Sequence, residues 1–283
     1  MSDDAPRSTA LALSLIVPIV ALNALAFVAP VANLARMSFM TAEGTGALSE
    51  AFTWENWGKL VSDSFYLELL TTSVSQSLMI TLLTLIASYP IALYLHRSRG
   101  TWRTVLLIMV ISPLLTSAVV RTYGWIAILS DQGLVNSALA ALGRKEPLRL
   151  MFNATGVTIG LTEILMPYMI LALLAGFGRL DARLEEAAST LGASPMRVFW
   201  RVVAPLSAPG VALGCLLCFV LAVSSFITPK LLGGGRVFLL ATEIYDQAIV
   251  TLNWPMASTL SILILVIFGV ALVLYARALR ALG

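Results

Sequence analysis

Six apolar runs dominate this chain, at approximately residues 10–34, 69–95, 105–129, 155–177, 207–228 and 256–276. Each is long enough to cross the ~30 Å hydrocarbon core of a bilayer as a helix. A backbone in hydrocarbon must satisfy its own N–H and C=O groups, so runs of this length fold as helices. Pro18, Pro90, Pro113 and Pro167 interrupt them. Neighbouring helices or a polar cavity can re-satisfy the groups a proline frees, so these positions predict kinks, not shorter spans. The expected fold is all-α, a single polytopic membrane domain over residues 1–283 with six kinked transmembrane helices.

Composition supports this. The chain is 59% hydrophobic and 12% charged, with a mean hydropathy of +0.91, whereas about a quarter of the residues of a soluble domain are charged. The net charge of +3 comes without a Lys/Arg-rich run or a basic face interleaved with aromatics, which leaves nucleic-acid binding unsupported. Cys215 and Cys218 lie in the apolar segment Gly214-Cys-Leu-Leu-Cys-Phe219, without the polar flanks of a metal or redox CxxC, and read as small buried side chains. No metal site is expected. The apolar stretch after Met1-Ser-Asp-Asp-Ala-Pro-Arg7 is too long for a signal-peptide core and lacks a clear cleavage site, so it reads as a retained first span.

Charge predicts the orientation. With the N-terminus in the cytoplasm, the inner segments carry ten arginines: Arg7, Arg97, Arg99, Arg103, Arg179, Arg183, Arg197, Arg201, Arg277 and Arg280. The outer segments carry seven basic residues, spread over more chain and accompanied by nine acids. The positive-inside rule therefore places both termini in the cytoplasm. His96, at a span end beside Arg97 and Arg99, reads as an interfacial polar residue.

Between the fourth and fifth runs, residues 179–205 carry explicit local signals. Ala182 to Leu191 are good helix formers, Gly192 suits a left-handed helix end, and Ser194-Pro195 is an N-cap followed by proline in the first helical position. The pattern predicts helix, turn, helix, with the second helix running to about Val203 and Pro205 marking the return to the membrane. Ala187 and Ala188 follow Glu186 on a surface with little side-chain bulk, which another protein can approach closely. A short solvated connector is the plainer reading of such a stretch.

The spacing is more particular than a connector needs. Glu186-Ala187-Ala188, three residues, Gly192, nine residues, then Val202-Val203-Ala204-Pro205 resembles the EAA loop of bacterial binding-protein-dependent ABC importer permeases. That pattern ends in Ile, any residue, Leu, Pro; Val and Ala here are a mild departure. Arg121-Thr-Tyr-Gly-Trp125, Gly133-Leu-Val-Asn136, Pro147-Leu-Arg149, Leu180-Asp181, Leu231-Leu-Gly-Gly234 and Trp254-Pro255 extend the likeness over most of the chain, nearest to spermidine/putrescine permeases of the PotB type. The resemblance implies a type I ABC importer permease in the bacterial inner membrane, working with a second related permease, an ATPase dimer and an external solute-binding protein. It implies that Glu186, Ala187, Ala188 and Gly192, followed by the Ser194-Pro195 cap, form coupling helices that seat on the ATPase. It also implies import of a polyamine or related cationic amine, with an opine, amino-acid derivative or phosphonate as the alternative cargo.

The chain's own chemistry fits this division of labour. Lys59, Lys145 and Lys230 are its three lysines and none follows a Gly-x-x-x-x-Gly spacing, so ATP and Mg fall to a partner subunit. Gly233-Gly234-Gly235 lies on the predicted outer side and reads as a flexible segment facing the binding protein. A membrane enzyme would need converging nucleophile, acid or metal ligands, and the chain has one histidine and no cluster facing it. An ion-coupled secondary transporter would show inverted repeats and paired intramembrane ionisable groups; only Glu163 is an acid within the runs. Glu163 lies ~12 Å into the fourth run, near mid-membrane, and Pro167 cannot donate to its carbonyl. An anion and a free carbonyl at one depth can receive an ammonium group, or Glu163 can be a protonated or paired side chain tying its helix to a neighbour. Arg121, Tyr123 and Trp125 complete the candidate substrate pathway, with Arg121 expected near the outer interface.

Overall fold

The computed structural model describes residues 5–43, 47–49 and 51–282; the chain ends, expected in the cytoplasm, lie outside them at residues 1–4 and 283. The elements run α1 (Ala5–Met37), β1 (Thr41–Glu43), β2 (Ala47–Ser49), α2 (Glu55–Ser62), α3 (Ser64–Arg97), α4 (Gly100–Ile111), α5 (Ala118–Leu129), α6 (Leu134–Ala141), α7 (Ala154–Gly176), α8 (Ala182–Thr190), α9 (Pro195–Val198), α10 (Ala204–Val223), α11 (Ile227–Leu232), α12 (Leu240–Tyr245) and α13 (Trp254–Leu282). Five helical segments of the described residues are long and apolar enough to span, and the bent pair Gly100–Leu115 and Ala118–Ala141 makes a sixth when taken as one span. The two short strands pair antiparallel, Thr41 opposite Ser49, as a small addition to the all-helical fold.

The chain divides into two compact units, Met1–Asp63 with Ile244–Leu263, and Ser64–Glu243 with Ile264–Gly283. In the first, the Asn56 side chain donates to the carbonyls of Ser38 (3.1 Å) and Met40 (2.8 Å), fixing the turn after α1 against α2. Phe39 stacks on Phe52 and meets Trp54 edge-on at 4.8 Å, forming an aromatic knot beside the strands. The spanning part of α1 buries none of its residues within the chain, so its apolar surface is left for lipid or another subunit.

The second unit is built around α7, whose buried residues occur on every face of the helix, from Val157 to Leu173. A helix that is apolar all round belongs in an interior. Helices α3 and α10 pack on it, and Gly176 meets Gly210 so closely that a Cβ on Gly176 would lie 2.3 Å from the Gly210 Cα. Four residues on, Gly214 makes room for Met169. Small residues at a crossing let two backbones touch, which is how helices associate where no hydrophobic effect drives them together.

Pro113 and Pro205 each depart from the sequence expectation, the first of a kink and the second of a return to the membrane. Pro18, Pro90 and Pro167 stay inside continuous helices, but at Pro113 the third run breaks through a 3-10 turn, Ser112–Leu115, and α5 restarts after a 100° bend. Ser117 caps the restart by accepting from the Val119 N–H at 3.3 Å. The fifth span, by contrast, does not restart at Pro205: helix continues from Pro195 to Val223 through a π-helical turn, Phe199–Val203. Pro205 has no N–H and its ring crowds the carbonyl four residues back, and the wider π turn just before it relieves both. This span ends at Val223, and Thr228 belongs to the separate helix α11.

Candidate translocation and coupling sites

Glu163 is the tenth residue of the 23 in α7. Its Oε2 accepts a hydrogen bond from the indole N–H of Trp125 on α5 at 3.0 Å. It also lines a cavity of about 300 Å³ whose other walls include Tyr94, Met109, Pro113, Met166 and Pro167. The carboxylate is the one acidic group on those walls. Around the proline, the α7 carbonyls take donors from other helices. The Thr84 hydroxyl reaches the Thr162 carbonyl at 3.5 Å, Arg121 Nη1 the Ile164 carbonyl at 3.4 Å, and the Cys218 thiol the Leu165 carbonyl at 3.7 Å. These bonds serve carbonyls on either side of Glu163, whose own carbonyl is the one that Pro167 has no N–H to reach.

The Arg121 side chain turns toward α7. The break at Pro113 resets the helix, so Arg121 falls in the first turn of α5, partly buried against α7, and its Nε finds no partner among the described residues. Arg121 and Trp125, four residues apart, share one face of α5. Tyr123 lies on the opposite face and is 57% exposed, so the structure does not bring it to Glu163. Both readings of Glu163 keep an observation: the bond to Trp125 ties α7 to α5, and the cavity leaves the carboxylate facing open space.

The candidate coupling loop forms a short helix and a turn where its signals direct. Asp181 caps α8, its side chain accepting from the Arg183 N–H at 3.0 Å. At the other end Gly192 has φ +83°, its N–H donates to Ser189 (3.0 Å) and the Ala193 N–H to Ala188 (3.1 Å). These two bonds are the Schellman ending, which requires the left-handed conformation that glycine adopts at least cost. Ser194 takes the N-cap backbone conformation before Pro195, yet its side chain makes no capping bond. Glu186 and Ala187 are exposed and Ala188 is half-buried. Leu191 is 89% exposed, and Met196 and Trp200 also stand out to solvent.

The end of α3 grips this loop, which the sequence reading missed. Arg97 Nη2 pairs with Glu185 Oε2 at 2.5 Å, and His96 Nε2 lies 3.3 Å from the Leu180 carbonyl. About two turns earlier, Tyr89 sits edge-on to Phe177 and Phe199 and shares a hydrogen bond of 2.9 Å with Ser207. The charges of Arg97 and Glu185 were visible, but they lie 88 residues apart and no local signal pairs them. Gly233 and Gly234 are also packed more tightly than a flexible segment: a Cβ on Gly234 would lie 2.2 Å from the Phe152 ring.

Residues 88–282 match the family described as the binding-protein-dependent transport system inner membrane component. The chain is 36% identical over 247 residues to the spermidine/putrescine transport system permease protein PotB of Escherichia coli strain K12, covering 87% of this chain and 90% of that one. The Haemophilus influenzae PotB is 34% identical, covering 86% of this chain and 85% of its own length. Among solved structures, a bacterial ABC transporter that imports the acidic polysaccharide alginate superposes with a TM-score of 0.70 over 98% of this chain and 96% of its own, at 16% identity. The fold is therefore shared by permeases of dissimilar sequence, and the chain is a transport subunit, not an enzyme. By the match over residues 88–282 and the identity along most of its length, the chain belongs to the binding-protein-dependent transport system inner membrane components, the permease subunits of ABC importers.

Proposed function

We propose that the chain forms half of a translocation pathway for a polyamine or related cationic amine, with a second related permease supplying the other half. The observation that carries the substrate reading is Glu163, a carboxylate held by Trp125 on the wall of an otherwise apolar cavity midway along α7. An intramembrane acid is costly in lipid and belongs on a functional path or in a pair. The names of the relatives, spermidine/putrescine permeases, agree with that chemistry.

The driving force comes from outside the chain. An ATPase dimer binds ATP and Mg and seats on α8 and α9, where Glu186, Ala187, Leu191, Met196 and Trp200 offer an exposed, largely apolar face. Gly192 sets the angle between the two short helices, and Ser194 and Pro195 start the second. Because α8 follows α7 and α9 continues into α10, a push on the loop reaches both helices that cross at Gly176 and Gly210. Both termini face the cytoplasm, and an external binding protein delivers the substrate at the other end. The test is mass spectrometry of the ligand released from the purified partner binding protein. A di- or polyamine is the expected mass; an opine, a phosphonate or another anionic solute overturns the substrate reading while leaving the permease assignment intact.

A further inference from the structure

At the end of the second unit opposite the coupling loop, Phe152 has φ +58°, a left-handed conformation that bulky residues rarely adopt. Strain of this kind persists only where its surroundings impose it, and it gathers at working sites. Here the surroundings are explicit. The Phe152 N–H donates to the Leu232 carbonyl at 2.7 Å, and the ring covers Gly234, where any Cβ would collide with it. The same loop closes on Gly156, where a Cβ would stand 2.2 Å from the Leu150 carbonyl oxygen. The result is a fixed aromatic ring, 49% exposed.

That ring is a partition. One cavity of about 520 Å³ is lined by Phe65, Glu68, Gln76 and Phe238, another of about 560 Å³ by Asp131 and Arg149, and Phe152 and Arg236 border both. Cavities of this size suit small ligands. We propose that the first cavity is a binding station for the ammonium end of an aliphatic amine, with Phe152 as its aromatic wall and Glu68 as its counter-charge. The proposal rests on the substrate being a cationic amine, and it adds a site about ten residues, or ~15 Å along α7, from Glu163.

The chemistry on the two sides of Phe152 differs in charge, balanced in the first cavity and positive in the second. The first cavity gathers three aromatic rings, with Phe65 and Phe238 edge-on at 6.1 Å, around one carboxylate. Ring faces carry negative potential and attract an ammonium group, most strongly where water is partly excluded. The second cavity holds Arg149 and Arg236 against Asp131 and repels a cation. Arg236 at the shared wall leaves the first cavity without net negative charge, so an amine is held there briefly. A station on a path must release what it receives.

The test uses the complex of this chain with its permease, ATPase and binding-protein partners in proteoliposomes, with radiolabelled spermidine and putrescine as probes. Glu68→Gln and Phe152→Ala are each expected to cut uptake about five- to tenfold, with Phe152→Tyr, which keeps the ring, retaining more than about half. The concentration of loaded binding protein that half-maximally stimulates ATP hydrolysis is expected to change by less than about twofold. Uptake near the wild-type level in both Glu68→Gln and Phe152→Ala overturns the station. So does a loss that follows a shift in the half-stimulating concentration, since the surface then docks the binding protein. Equal losses in Phe152→Tyr and Phe152→Ala also overturn it, because the ring face is then not what matters. If the wild-type complex moves neither amine, the substrate reading itself has failed and the station falls with it.

Discussion

Glu163 and Trp125 set the chemistry at the residue scale. Their bond is partly buried, and a hydrogen bond of this kind contributes about 1 kcal/mol. Glu163→Gln keeps shape and hydrogen bonding but leaves Arg121 as the charge at this depth, which then repels a cationic cargo. Uptake of a polyamine is expected to fall at least ~tenfold while complex assembly and basal ATP hydrolysis persist; loss of assembly would instead assign Glu163 to helix pairing. Trp125→Phe removes only the indole donor and should cost uptake a few-fold, since one neutral donor is worth ~1 kcal/mol; radiolabelled uptake measures both. The place of Glu163 along α7 was legible because the fourth run is one continuous helix with a fixed rise per residue. The place of Arg121 was not, because depth counted along the third run assumes a continuous helix, and the break at Pro113 resets both rise and phase.

Elements differ in how far their signals reach. Helix α8 and its Gly192 ending depend on contacts within a few residues and were readable in order, whereas the Asp181 cap, equally local, was not read. The π turn before Pro205 and the grip of α3 on the loop depend on partners distant in sequence, so neither was. Arg97 and Glu185 are partly exposed, and such a pair contributes ~0–1 kcal/mol to stability. Its consequence lies in position: it fixes α8 to the end of a helix that runs the length of the unit. Arg97→Glu is expected to lower uptake several-fold without loss of the ATPase subunits, and adding Glu185→Arg to restore it, as the geometry needs one charge of each sign; uptake unaltered by Arg97→Glu would remove this positioning role. Gly210 is less forgiving, since a Cβ there would meet the Gly176 Cα at 2.7 Å. Gly210→Leu forces α7 and α10 apart, and overpacking of this kind costs ~1–3 kcal/mol or more. The expected result is a lower yield of assembled complex by size-exclusion chromatography.

For the molecule as a whole, hydropathy marks the candidate crossings and charge predicts their direction, while the two-unit division comes from packing that no single run encodes. The orientation has its own check, in a background with Cys215 and Cys218 replaced by alanine. Cysteines at Lys59 and Arg144 are expected to react with an impermeant maleimide in intact cells, and cysteines at Ser98 and Ser194 only after permeabilisation; the reverse pattern inverts the topology. In the proposed mechanism force from ATP enters at the loop and the cargo passes at α7, with Gly192 standing between the two. A side chain at Gly192 would meet no neighbour, so Gly192→Val perturbs only the left-handed turn, at a cost of ~1–2 kcal/mol. The most direct measurement is ATP-driven uptake alongside ATP hydrolysis in proteoliposomes carrying the Gly192→Val complex. The expected result is a complex that still contains its ATPase subunits, with hydrolysis no longer stimulated by the loaded binding protein and uptake reduced at least ~tenfold. Full uptake with normal stimulation would contradict the assignment of this loop as the link between ATP and transport.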